Sequence, residues 1–310
     1  MKTIAKQPGT LRTWITALRP FSFTASVLPL FLGTVLAGFS GHSIAWFRFG
    51  VLVFAVVAVH AAANLLNDYY DFVRGVDQHV FPVSGAVVRG WLSGMQVRRV
   101  AFVLLVAGVG LAGGLIWVSG WKLLVLVLVG IGLALGYTRE GPCLKYVGLG
   151  DPTVLLGFGI LPVLAAWVLQ TGAFAWFPVW WSLPPGLLAV AILHANNWRD
   201  RLHDAEKGCK TLAVRLGLRG CRLYWQGVLL MSMATVVMAV CAGRILYKGE
   251  HAPIWTLGTL VLVPEMIRMV RGDWSRHSDA LAVLDARAAR LHSAFTFLLS
   301  VGFLLSWWLS

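Results

Sequence analysis

The sequence predicts an all-α integral membrane protein with nine transmembrane helices and a cytoplasmic N-terminus. Composition, hydropathy and the length of the apolar runs carry that prediction. Of 310 residues, 58% are hydrophobic and 13% charged, against roughly 25% charged in a typical soluble domain. Mean hydropathy is +0.75, so a soluble globule of this size could not cover its own exterior with polar groups. The apolar residues run in stretches close to the roughly 20 residues that a helix needs to cross about 30 Å of hydrocarbon. An ordinary soluble enzyme, a disordered chain and a disulfide scaffold are thereby excluded. Cys143, Cys209, Cys221 and Cys241 show no C-x-x-C spacing and imply neither zinc nor a disulfide framework.

The predicted spans are 22–40, 44–66, 99–118, 121–137, 152–170, 183–198, 224–243, 253–270 and 290–309. Residues 1–19 are mixed and polar, so no signal peptide is expected ahead of the first. The second span runs into a polar, acidic segment. Only Ser119-Gly120 separates the third from the fourth, which reads as a hairpin. The fourth gives way at Tyr137 to a glycine-rich loop, and the sixth ends in a second polar segment. The eighth carries Glu265, with Arg268 near enough on a helix for a simple ion pair. His60 and His194 lie inside spans, where a helical histidine is usually structural, and no residue stands out as a general base.

Lysine and arginine set the orientation. With the N-terminus inside, all 26 except Arg48, Lys122, Arg244 and Lys248 fall on the cytoplasmic side, a strong positive-inside bias. The excess of 26 bases over 13 acids is therefore topological rather than a nucleic-acid signal. Trp46, Trp117, Trp121, Trp176, Trp180, Trp181, Trp255, Trp307 and Trp308 fall near the opposite face, where an interfacial belt belongs. Acids contribute little to orientation, yet all of them except Glu250 and Glu265 also lie inside. Something other than topology placed those carboxylates.

Asn64, Asn67, Asp68 and Asp71 stand at i, i+3, i+4 and i+7, one stripe of a helix. Gly75 is a natural helix stop, which leaves Asp77 in the following loop. Asn197, Asp200 and Asp204 repeat the spacing at the end of the sixth span. The two stripes lie 129 or 130 residues and four spans apart, so residues 22–137 and 152–270 read as a diverged parallel repeat, followed by a ninth helix at 290–309. The whole of 1–310 reads as one domain. Carboxylates this close repel unless a cation intervenes. Oxygen donors without a His/Cys set select a hard ion such as Mg²⁺, which completes its shell with water and substrate phosphate. Ordinary helix-end polarity is the alternative, but acids at a helix C-terminus oppose the macrodipole, and here they occur in a matched pair. Two or more ions clamping a diphosphate fit better.

A diphosphate so held still needs donors for its free oxygens. Tyr137, Arg139 and Lys145 lie in the third inner loop. Arg74 follows the first stripe; Lys210 and Arg215 follow the second. Positive-inside charge explains most of these bases individually. Lys145, among apolar residues and glycines, stands apart.

Asn67-Asp68-Tyr-Tyr-Asp71, the Tyr137…Lys145 loop and Asn197-x-x-Asp200-x-x-x-Asp204 together resemble the UbiA superfamily of intramembrane prenyltransferases. Within it, the sequence is most similar to the 1,4-dihydroxy-2-naphthoate polyprenyltransferases of menaquinone synthesis. That resemblance rests on Leu18-Arg19-Pro20, Leu144-Lys145-Tyr146-x-Gly148-Leu149-Gly150-Asp151, and Asn196-Asn197-x-Arg199-Asp200 running on to Gly208-x-Lys210-Thr211-Leu212-Ala213-Val214-Arg215-Leu216-Gly217. The common superfamily pattern has an acid four residues after Asp71. Gly75 stands there instead and the acid is Asp77, a spacing that resembles the naphthoate branch.

The resemblance implies a UbiA-type bundle in a bacterial inner membrane, its active site facing the cytoplasm. It implies Mg²⁺-dependent transfer of a polyprenyl group from the diphosphate to the aromatic acceptor, with loss of CO₂ and diphosphate, giving a demethylmenaquinone. Asp68, Asp71, Lys145 and Asp200 are the expected catalytic residues. Asn67, Asp68, Asp71, Asp77, Asn197, Asp200 and Asp204 are the expected metal ligands. Arg74, Tyr137, Arg139, Lys145, Lys210 and Arg215 would hold the diphosphate; Arg19, Asn64 and Arg89 are candidates for the acceptor. The allylic cation must meet the ring before water does, so the chemistry belongs in a dry pocket. Tyr69, Tyr70, Phe72, Tyr137 and Phe158 could present aromatic faces to it. Rival readings keep the chemistry and change the acceptor to homogentisate, 4-hydroxybenzoate, an ether lipid or a porphyrin. A cation-coupled transporter is the rival from another class, but transporter sites usually lie near the midplane between inverted repeats.

Overall fold

A computed structural model describes residues 9–73, 86–138, 143–246, 254–272, 274 and 279–309, and these contain helices and no strands. Helix α1 (Thr10–Leu18) precedes a 3-10 turn, Pro20–Phe23, and α2 (Thr24–Phe39). Next come α3 (Trp46–Val73), α4 (Gly94–Ser119) and α5 (Trp121–Thr138). Helix α6 spans Gly150–Thr171, α7 Trp176–Glu206 and α8 Leu212–Leu246. A 3-10 segment, Ile254–Leu262, leads into α9 (Val263–Val270), and α10 (Leu284–Leu309) ends the described chain. Seven of these helices are long and apolar enough to cross a membrane. The shorter α5 and the Ile254–Val270 segment bring the membrane segments among the described residues to nine, as predicted.

Two elements differ from expectation. The sixth span, predicted over 183–198, is the middle of a 31-residue helix with Pro184 and Pro185 buried inside it. Surrounded by apolar neighbours, backbone polar groups have no partner better than the helix itself, so α7 also carries its polar tail in helical form to Glu206. The eighth span is not continuous α-helix, because its N-terminal half winds as 3-10 up to the proline at the start of α9. The Ser119-Gly120 hairpin stands: the Gly120 amide closes α4 on the Ile116 carbonyl.

Helix α3 packs chiefly on α4, and α7 on α8, while α10 packs against both α2 and α7 and α6 lies on α2. The core is filled by large side chains, among them Trp181, Trp225, Phe295 and Phe303. Trp181 meets Phe303 edge-on at 4.8 Å between centroids, a favoured aromatic geometry. It therefore belongs to the core and not to the interfacial belt that its position suggested. Trp46, Trp117, Trp121, Trp176, Trp255 and Trp308 are exposed, as a belt requires. A second, smaller core joins Ala17 of α1, Ala62 and Leu65 of α3, and Ala86, Leu92 and Val97.

Helices α6 and α7 touch backbone to backbone. A Cβ on Gly159 would lie 2.5 Å from the Gly186 Cα, so this crossing admits no side chain. Just there α6 opens into a π-helical stretch, Leu155–Ile160. Pro162 has no N–H for the Phe158 carbonyl one turn back, which is a physical reason for the helix to loosen at this point.

Candidate active site

The cytoplasmic-type polar ends expected from the sequence gather at one end of the bundle. Arg19, between α1 and α2, reaches the end of α3 through Asp68. Arg199 of α7 reaches Asp285 at the start of α10, with Nη1 to Oδ2 at 2.7 Å. Lys145, in the loop between α5 and α6, donates from Nζ to Asn67 Oδ1 at 3.3 Å and lies 5.0 Å from the Tyr146 ring centroid.

That loop is braced from the second polar segment. The Lys210 amide donates to the Tyr146 carbonyl at 2.9 Å, and Arg215 donates to the Val147 carbonyl at 2.8 Å. Gly148 turns the loop at φ +85°, and a Cβ there would meet the Arg215 guanidinium at 3.0 Å. Left-handed backbone and lack of space both require glycine at this position. Below the loop Asp151 is buried, with Oδ2 3.8 Å from His194 Nδ1. Arg215 and the backbone of Lys210 thus hold the segment that presents Lys145.

Beneath this end lies a cavity of about 410 Å³ lined by residues of α2 to α7 and of the turn before α2, within the usual range for small-molecule sites, about 300–1,000 Å³. Asn64 and Asn67 from the first segment and Asn196 from the second line it, together with Tyr137. Below them the wall is apolar, with Leu52, Val56, Leu126, Val154 and Leu161 among its members. The two polar segments, some 130 residues apart in sequence, therefore border one chamber.

The first stripe does not act as a single face. Asn64 donates through Nδ2 to the Leu18 carbonyl at 2.9 Å and to Ser22 Oγ at 3.1 Å. Asp68 is 1% exposed, lies away from the chamber lining, pairs with Arg19 and accepts from the Ala86 amide at 3.1 Å. Consecutive helical residues are set about 100° apart, so Asn67 faces the chamber while Asp68 faces α1. On α7, Asp200 receives both Nε and Nη2 of Arg199, at 2.9 and 3.0 Å. Asn197 and Asp204 are buried. Asp71 lies on α3; Arg74, Asp77 and Arg139 fall outside the described residues. Arg89, expected near the acceptor, stacks over Trp91 at 4.6 Å. Of the five aromatic candidates only Tyr137 and Phe158 line the chamber; Tyr69 packs under Arg98, 5.4 Å away. The Glu265–Arg268 pair forms, at 3.0 Å, and Arg287 joins it.

Sequence reasoning missed a polar patch inside the apolar wall. His60 of α3 lies one turn below Asn64 and is bracketed by Ser22 and Ser26. The spacing of 60, 64, 67 and 71 continues the stripe one turn deeper, which is the signal that could have found it.

Among the described residues no three His, Cys or acidic side chains form a metal cluster. Asn64, Asn67 and Asn196 bring carboxamide groups to the chamber with Lys145 beside them, and the carboxylates of Asp68 and Asp200 lie on the same two segments, each paired with an arginine. That set fits Mg²⁺, which takes one or two protein carboxylates and relies on water and phosphate for the rest.

The pattern of the UbiA prenyltransferase family matches residues 26–282. The chain belongs to that family. The human UbiA prenyltransferase domain-containing protein 1 is 40% identical over 209 residues, 66% of this chain and 61% of that protein. The Drosophila melanogaster homologue is 30% identical over 290 residues, 92% of this chain and 77% of that one. The chain spans about six tenths of the length of its vertebrate relatives. Two archaeal UbiA homologues share the fold: one from Archaeoglobus fulgidus bound to DMAPP and Mg²⁺ (TM-score 0.64, 16% identity, 93% of this chain and 99% of that one), and one from Aeropyrum pernix K1 (TM-score 0.65, 17% identity, 91% and 97%). With its apolar helices and this UbiA fold, the chain is an integral membrane protein.

Proposed function

We propose that this UbiA-family chain transfers a polyprenyl group from its diphosphate to 1,4-dihydroxy-2-naphthoate, releasing diphosphate and CO₂ and leaving the quinol form of a demethylmenaquinone. The observation that carries the reading is the shared chamber. Asn67, held by Lys145, and Asn196 meet at its polar mouth, and an apolar wall lies directly beneath. A diphosphate at the mouth would leave the isoprenoid tail on a surface that demands no polar contact from it. The Archaeoglobus fulgidus UbiA homologue structures bound to DMAPP and Mg²⁺ and to GPP and Mg²⁺ support a prenyl diphosphate as donor.

Mg²⁺, two or more ions in this proposal, would supply positive charge against the departing diphosphate. Asn67, Asp68, Asp71 and Asp77 on one side and Asn197, Asp200 and Asp204 on the other are the proposed ligands. Arg19 pairs with Asp68 and Arg199 with Asp200. Lys145 would donate to non-bridging oxygens where charge develops, with Arg74, Tyr137, Arg139, Lys210 and Arg215 forming the outer diphosphate site. Tyr137 and Phe158 line the chamber, where their faces would stabilise positive charge on the allylic carbon. The apolar wall offers water no hydrogen-bond partner beside that carbon.

The acceptor follows from the Asp71–Asp77 spacing and its resemblance to the naphthoate branch. A bacterial inner membrane follows from the same resemblance, although relatives that match come from animals. The lysine and arginine bias supports a mouth facing the cytoplasm. The proposed parallel repeat pairs α3 and α4 with α7 and α8, each an intimately packed neighbour pair. Purified protein incubated with labelled prenyl diphosphate, Mg²⁺ and each candidate acceptor in turn tests the reading. Diphosphate release that depends on 1,4-dihydroxy-2-naphthoate supports it. Release with homogentisate or 4-hydroxybenzoate alone would keep the chemistry and replace the acceptor, and no release with any would end the enzyme reading.

A further inference from the structure

Within the apolar part of the chamber one polar group is assembled from α2, α3 and the 3-10 turn that precedes α2. His60 Nδ1 lies 2.8 Å from Ser26 Oγ, and its Nε2 lies 3.3 Å from Ser22 Oγ. All three residues line the chamber, and so does Asn64, which donates to Ser22. The ring is wedged edge-on between Phe23 and Phe158, at centroid distances of 5.3 and 5.1 Å.

Hydrogen positions follow from the network. Ser22 has one hydroxyl proton and donates it to the Arg19 carbonyl at 2.8 Å, a group that can only accept. With its proton so assigned, Ser22 Oγ accepts from His60 Nε2–H. A neutral imidazole with Nε2 protonated has a bare Nδ1, so the Ser26 hydroxyl donates to Nδ1. The Ser26 proton is thereby committed, and its oxygen, on a residue that lines the chamber, keeps lone pairs to accept with. The assembly as a whole accepts a hydrogen bond at one fixed point beside the apolar wall.

An isoprenoid tail has no donor to give. A hydroxyl on an aromatic ring has one. His60 lies seven residues before Asn67 on a continuous helix, which places it about 10 Å deeper at 1.5 Å per residue. That depth is comparable to the length of a fused aromatic ring system set below a diphosphate at the mouth.

We propose that the Ser26–His60 pair is the acceptor-positioning site: it accepts a hydrogen bond from a phenolic hydroxyl and so selects hydroxylated aromatic rings. The inference rests on the prenyl-transfer reading above and deepens it by assigning the acceptor subsite. His60 acts through Ser26, holding its proton and aiming its oxygen, and is a positioning residue.

The test pairs the protein with two substrates. Turnover by wild-type protein is measured with a phenolic acceptor, beginning with 1,4-dihydroxy-2-naphthoate, and with its mono-O-methyl ethers. One of the ethers should be poorer by about ten-fold or more in kcat/KM, the scale of one lost neutral hydrogen bond in a dry site. Ser26→Ala and His60→Leu should raise the acceptor KM by a similar factor and abolish the preference for the free hydroxyl. KM for the prenyl diphosphate should stay the same, and His60→Gln, which can still accept from Ser26, should recover part of the loss. Undiminished turnover of both ethers by the wild type would overturn the assignment without any variant having to fold. Folded Ser26→Ala protein that keeps its preference for the hydroxyl would overturn it too. Either result leaves prenyl transfer intact, whereas a wild type that releases no diphosphate with any phenol defeats both readings.

Discussion

The Arg19 guanidinium is bonded to the Asp68 carboxylate across 49 residues of chain, and Asp68 is 1% exposed. Arg19 makes this contact from a left-handed conformation, φ 54°, the single non-glycine positive φ among the described residues. A residue held in so sparsely populated a region must be kept there by its contacts. Removing the arginine leaves a buried carboxylate without its counter-charge, which typically costs about 3–5 kcal/mol. Arg19→Ala should lower the unfolding midpoint in detergent strongly, and the Arg19→Ala/Asp68→Ala pair should lower it less. Because the proposed Mg²⁺ site includes Asp68, added Mg²⁺ should raise the midpoint of Arg19→Ala more than that of the wild type. A thermal melt of the three proteins, with and without Mg²⁺, measures all of this.

Lys145 reaches Asn67 at 3.3 Å, so its ammonium already stands beside the proposed diphosphate. Lys145→Met keeps the stem and removes the charge. Loss of one donor aimed at developing negative charge typically costs about 10²–10³ in kcat. Diphosphate release should fall by that order while the unfolding midpoint moves little. Arg215→Met, which removes the brace on the Val147 carbonyl together with a more distant donor of the outer diphosphate site, should lower the rate less.

Chelation should stop turnover, and Mg²⁺ should restore it. Asp71→Asn and Asp200→Asn remove one negative oxygen donor from each segment, so both should need more Mg²⁺ for half-maximal rate. Titrating the rate against free Mg²⁺ gives the answer. Wild-type activity in both variants would exclude the two-segment site.

Gly159 and Gly186 meet backbone to backbone. Gly186→Leu forces a side chain into that crossing. Overpacking typically costs about 1–3 kcal/mol, and here the displaced neighbour is the π-helical stretch that carries Phe158. The variant should lose stability and turnover together. A melt and a rate measured on one preparation would show it, and an unchanged melt would mean that the crossing is loose.

Much of the architecture was legible in the sequence because hydrocarbon imposes one dominant rule. A chain in lipid must satisfy its backbone internally, so runs of apolar residues of sufficient length become helices. Asn64, Asn67, Asp68 and Asp71 were legible as a cluster because the helical period fixes their relative angles. What lay opposite each of them was not. The period gives no neighbour, so Asp68 could not be told from Asn67 although one pairs with α1 and the other borders the chamber. Trp181 shows the same limit at the other end, where position along the chain suggests an interface and packing against Phe303 decides for the core.

The sequence by itself determined the membrane class, the count of spans and the two polar segments, because each is a property of local composition and spacing. Only the tertiary structure decided that Asn67 and Asn196 border one cavity, that Arg215 braces the loop of Lys145, and that His60 stands between two serines inside it. Those are meetings of residues far apart in the chain, fixed by how helices pack and not by any pattern that a single helix carries.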